Sequence, residues 1–127
     1  MSTASHADLP VHSVELLQWS TASAEGETRV ALVGEVDCST ADALSAVLAE
    51  ALDCRPVRLA VDVGQVSFLD STGIGCLVAA QRRGSEIGCQ LVVRNPTTAI
   101  ARIFEICGVD KILLDHADRA ETESMAS

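Results

Sequence analysis

A single α/β domain, with helices packed on a mixed sheet, is predicted by three observations. Apolar runs of strand length alternate with segments whose apolar residues recur at three- and four-residue steps. Hydrophobic residues make up 48% of the chain but aromatics only 2%, so Val, Leu, Ile and Ala must build the core. The length of 127 residues suits one domain with a core large enough to need no staples.

Residues 1–12 are small and polar and are expected to form a flexible N-terminal segment, with the domain over 13–115. Val14 to Trp19 reads as a first strand, and Ser23 to Glu27 as a turn. Arg29 to Val33 follows as a second strand, close enough to form an antiparallel hairpin. Gly34-Glu35-Val36-Asp37-Cys38 is a loop, and Ser39 with Asp42 approximates a capping box for the first helix. Leu44, Val47, Leu48, Ala51 and Leu52 supply that helix's apolar face. Pro56 closes it, and Val57 to Val63 forms a third strand.

An apolar stretch then enters the turn Asp70-Ser71-Thr72-Gly73, and Ile74, Leu77 and Val78 mark a second helix ending near Gly84 or Gly88. Gln90 to Arg94 is a fourth strand, and Asn95-Pro96 is expected to cap a third helix with proline at its first position. Ile100, Ile103, Phe104 and Cys107 form its buried stripe, with Gly108 as the C′ residue. Ile112 to Leu114 reads as a short last strand, and 116–127 as an acidic helix or tail. The order is β-β-α-β-α-β-α-β, which demands parallel crossovers beside one antiparallel hairpin in a four- to five-stranded sheet. Functional groups in such sheets collect at the carboxyl ends of the strands. The Gly34–Cys38 loop and the Asp70–Gly73 turn both leave strands there, so one molecular edge holds the candidate site.

Composition removes several function classes. A net charge of -9 with three aromatic side chains opposes direct nucleic-acid binding. No apolar run approaches the roughly 18 residues of a membrane span, and no signal peptide is evident, so a cytoplasmic protein without a membrane partner is expected. Cys38, Cys54, Cys76, Cys89 and Cys107 are scattered and form no C-x-x-C pair, so neither zinc nor a disulfide framework is expected. They read as free thiols, most of them buried, with Cys38 set apart in a loop.

Catalysis finds little support either. His6, His12 and His116 lie in or near the termini, leaving a serine nucleophile without a base, and no G-x-S-x-G elbow is present. Asp70 is followed by two hydroxyl residues before Gly73, which breaks the aspartic-protease pattern. Gly73-Ile74-Gly75 matches neither a dinucleotide fingerprint nor a Walker loop. No cofactor is implied. Two readings of the hydroxyl pair stay open: Ser71 or Thr72 caps the helix, or Ser71 is a phosphorylation switch. A phosphate there would bring about −1.5 to −2 charges. The helix N-terminus is expected to receive it, while Asp70 and Asp37 oppose it.

Gly34-Glu35-Val36-Asp37 and Val66 through Gly75 resemble the two signature stretches of STAS domains, above all bacterial anti-sigma factor antagonists, and Ile103 through Gly108 is similar to the family's apolar third helix ending in Gly. The resemblance spans roughly residues 14–115 and implies a specific mechanism. An anti-sigma factor with serine-kinase activity would phosphorylate Ser71, and a PP2C-type phosphatase would reverse it. The unmodified protein would bind the anti-sigma factor and free a sigma factor for transcription. On this resemblance Asp37, Asp70, Ser71, Thr72, Gly73 and Ile74 belong to the partner-binding region, and the protein is not an enzyme. The alternative is a STAS scaffold or regulatory subunit in another signalling or transport assembly; the short stand-alone chain is expected to disfavour its transporter-linked form.

Overall fold

Hydrophobic patterning and turn chemistry place the strands in simple spatial order. A computed structural model describes residues 11–115 apart from Glu15, with side chains from Leu16 onward. The elements are β1 (Val11–Val14), β2 (Leu17–Ala24), β3 (Glu27–Val36), α1 (Ala41–Asp53), β4 (Arg58–Leu69), α2 (Ser71–Glu86), β5 (Gln90–Arg94), α3 (Thr98–Cys107) and α4 (Asp110–Leu113). The five strands form one sheet in the order β1-β2-β3-β4-β5. The first two pairings are antiparallel and the last two parallel. Glu25 and Gly26 take φ of 53° and 83°, the left-handed pair that a two-residue hairpin requires between β2 and β3.

Register sorts the two faces of the sheet. Thr28, Leu59 and Leu91 align in one row, and Val30, Val61 and Val93 in another. These rows face the helices, where Leu44, Leu48 and Leu52 of α1, Leu77 of α2 and Phe104 of α3 are fully or almost fully buried. Each such side chain contributes about 1.5–3 kcal/mol by leaving water. On the outer face, Arg94 reaches from β5 to Glu27 on β3, Nη1 to Oε2 at 3.2 Å, and so crosses above buried Ala60 of β4. Only a small residue at 60 lets that pair lie flat on the sheet. Burial opposes ionisation of Glu27, but hydrogen bonds and charge from Arg29 and Arg94 outweigh it and hold the carboxyl below its ordinary range.

The pairing of β3 with β4 shifts register twice, between Ala31 and Val33 and again between Gly34 and Glu35. At the second shift Ser67 is the extra residue, and its Oγ donates to the Gly34 carbonyl at 3.2 Å. Beyond it Phe68 pairs with Glu35 and points outward, while Leu69 pairs with Val36 and is buried. A bulge reverses which side chains face the core.

Several expectations need correction. The single expected strand Val14–Trp19 is divided between β1, which starts at Val11, and β2. Ser39 does not cap α1: its N–H and hydroxyl bond Asp37, and the N-cap position falls to Thr40. Asn95 does not cap α3. It sits in a turn at φ 59° and donates to Asp62 Oδ2 at 2.9 Å, while Thr97 Oγ1 accepts from the Ile100 amide at 3.2 Å. Pro96 thus precedes the helix instead of opening it.

Gly108 ends α3 in the left-handed region at φ 75°, as expected. The chain then forms α4 where a last strand was expected, because one helical turn buries Leu113 while Leu114 bridges to Val93 at the sheet edge. Cys107 lies outside the α3 stripe of Ile100, Ala101 and Phe104. Most of the five cysteines were expected to be buried, but Cys89 alone is, since Cys38, Cys54 and Cys107 fall in a loop and at helix ends. Burial pushes the Cys89 thiol up. No helix among the described residues is long and apolar enough to cross a membrane. Residues 1–10 of the expected N-terminal segment 1–12 and the expected tail 116–127, with His6 and His116, lie outside the described residues.

Candidate functional site

Because β3 and β4 run parallel, the loops that follow them leave the sheet side by side. Val36 pairs with Leu69, and the Asp70 amide then donates to the Val36 carbonyl at 3.2 Å. This brings the Gly34–Asp37 and Asp70–Gly73 segments to one edge, as the sequence predicts. The first loop is held from within. Asp37 Oδ1 accepts from the Ser39 amide at 2.8 Å and the Ser39 hydroxyl at 2.7 Å. Those bonds, the hydroxyl's foremost, lower the Asp37 pKa below its ordinary value. Fully buried Thr40 ties both ends of the loop, accepting from the Asp37 amide at 3.0 Å and donating to the Glu35 carbonyl at 3.1 Å.

The start of α2 is decided by Asp70. Its backbone is extended, at φ −103° and ψ −175°, and its Oδ1 accepts from the amides of Thr72 at 3.0 Å and Gly73 at 3.1 Å. These are the N2 and N3 donors that an N-cap side chain satisfies. The capping role therefore belongs to neither hydroxyl residue. Ser71 is the first helical residue, and both it and Thr72 are exposed. The N2 and N3 amides of α2 are thus engaged by the Asp70 carboxylate.

Gly73 and Ile74 play a different part from the other candidates. A Cβ at position 73 would come within 2.5 Å of Leu69 Cδ1 and 2.6 Å of Val36 Cγ1. Glycine is what lets α2 press against the ends of β3 and β4. Ile74 is 7% exposed and belongs to the core cluster, so its side chain offers no docking surface. Asp37 and Asp70 are half-buried, and neither joins an ion pair among the described residues. Sequence reasoning missed Thr40, Ser67 and Phe68. The signal for Phe68 was the broken alternation of Val66-Ser67-Phe68-Leu69, which marks a bulge.

The arrangement presents a serine hydroxyl on a rigid, acid-flanked turn. No hydrogen bond among the described residues links Ser71 to a base, and His12 lies in β1 opposite Trp19. No group of three His, Cys, Asp or Glu among the described residues is placed to hold a metal ion.

The family model described as "Mlab, STAS domain" matches residues 19–115. The chain belongs to the STAS family. It is 33% identical over 86 residues to the anti-sigma-B factor antagonist of Listeria monocytogenes, covering 65% of this chain and 72% of that protein. It is 30% identical over 93 residues to the anti-sigma-F factor antagonist RsfB of Mycobacterium tuberculosis, covering 72% and 75% respectively. The crystal structure of an anti-sigma factor antagonist from Mycobacterium paratuberculosis superposes with a TM-score of 0.69 at 26% identity, covering 86% of this chain and 95% of that one. Both segments that meet at the site edge lie within the matched span.

Proposed function

We propose that this STAS domain is a cytoplasmic anti-sigma factor antagonist switched by phosphorylation of Ser71. It binds its anti-sigma factor when unmodified and thereby frees a sigma factor; it performs no catalysis itself. A partner with serine-kinase activity transfers the γ-phosphoryl group of ATP to Ser71 Oγ, releasing ADP and the hydroxyl proton. A PP2C-type phosphatase hydrolyses the ester and returns inorganic phosphate.

One observation carries this reading: Asp70 performs the capping, which leaves the Ser71 hydroxyl exposed with no structural task at the helix start. The names of the relatives supply the class of partner. Electrostatics supply the off state. The new charge of about −1.5 to −2 stands beside the Asp70 carboxylate and near Asp37, with no ion-paired cation at the turn among the described residues. A surface fitted to a neutral hydroxyl is rejected by repulsion and bulk, without any change of fold.

The direct test maps the phosphate after incubation with the purified kinase-type anti-sigma factor and ATP. Label is expected on Ser71 alone. Label confined to Thr72 would overturn the choice of acceptor, and none at all would favour a phosphorylation-independent scaffold.

A further inference from the structure

The outer face of the sheet carries an apolar group that the switch itself does not explain. Phe68 is 48% exposed, whereas Phe104 is fully buried and Trp19 packs against the core. The exposure is built in. The bulge at Ser67, pinned by its bond to the Gly34 carbonyl, turns Phe68 outward three residues before Ser71. On the same face Val33 pairs with Gln65 in the next row and is exposed, and Leu16 is exposed at the adjoining corner, where its carbonyl accepts from the Glu35 amide at 3.1 Å. Acidic groups lie close by in the chain: Glu35 pairs with Phe68, and Asp37 and Asp70 directly follow the ends of β3 and β4, none of them ion-paired among the described residues.

We infer that Phe68, with Val33 beside it, is the apolar anchor of the same partner that reads Ser71, and that this partner offers an apolar pocket rimmed by Lys or Arg. The inference rests on the reading of Ser71 as facing an anti-sigma factor. Two features favour that occupant over a second copy of this chain. Phe68 and Ser71 share one short, continuous segment, so a body covering the turn also covers the ring. These acidic groups would face their own like charge in a self-association, whereas a basic rim complements them. Aromatic side chains, Phe among them, are enriched at protein interfaces, and a few such anchors carry most of the binding energy.

The test measures affinity for the purified serine-kinase anti-sigma factor of the source organism by titration calorimetry. Phe68→Ala should weaken binding by about 30-fold or more, the loss typical of a central anchor. Phe68→Leu should recover most of it. Val57→Ala, at the opposite end of β4 and 72% exposed, should bind as the unmodified protein does. Val33→Lys should weaken binding and Val33→Glu should weaken it less, which probes the basic rim even if Phe68→Ala folds poorly.

Phe68→Ala binding within about twofold of the unmodified protein, while Ser71→Glu abolishes binding, overturns the anchor and leaves the switch standing. Loss on Phe68→Ala without loss on Ser71→Glu supports the anchor and overturns the switch. A change in sedimentation on Phe68→Ala with partner affinity intact assigns the patch to self-association and overturns the inference.

Discussion

Asp70 holds the first turn of α2 with a single carboxylate oxygen shared between two amides. Asp70→Ala should cost about 1 kcal/mol of stability in urea unfolding, and Asp70→Asn less, because the amide oxygen still accepts. Ser71→Ala should be nearly silent in the same assay. Asp, Ser and Thr are all good N-caps, so their succession at 70–72 could not say which one caps; the extended backbone at Asp70 decides it. Asp37 adds a pH dependence. Its pKa is lowered in the folded protein, so its contribution is present above the unfolded value and disappears as pH falls through the folded one. Acid titration by NMR should show the Asp37 carboxyl charged below the usual aspartate range. Asp37→Asn should remove the accompanying acid-dependent loosening of the Ser39 amide.

At the scale of elements, α2 distinguishes its two early glycines. Gly73→Ala drives a methyl into Leu69 and Val36 and should destabilise by about 1–3 kcal/mol. Gly75→Ala meets nothing within 4 Å and should stabilise the exposed helix position by roughly 0.5–1 kcal/mol. Thermal unfolding of the pair separates close packing from helix propensity. Strand β5 and the Gly108 terminus were legible because period and turn chemistry agree there. The outward Phe68 was not, since alternation assigns faces only while register holds, and the Ser67 bulge breaks it. Helix α4 was missed for a related reason. Three apolar residues at 112–114 fit a strand or a helical turn equally, and the tertiary context of Leu113 chooses.

Across the whole molecule, the parallel pairing of β3 with β4 converts two distant signature stretches into one surface. Alternation of strands and helices made that shared edge predictable before any coordinates. The division of labour within it was not, because whether Ile74 faces the core or solvent depends on how α2 packs. The proposed switch requires no rearrangement. On that proposal phosphorylation adds charge to an already acidic edge of a chain with net charge -9, and the account predicts changed affinity at nearly constant stability. The decisive measurement compares affinity for the kinase-type anti-sigma factor among the unmodified protein, Ser71→Ala and Ser71→Glu, with unfolding midpoints recorded alongside. Ser71→Ala should bind as the unmodified protein does, and Ser71→Glu should lose about tenfold or more at an unchanged midpoint. Equal affinity of the alanine and glutamate variants would contradict the switch.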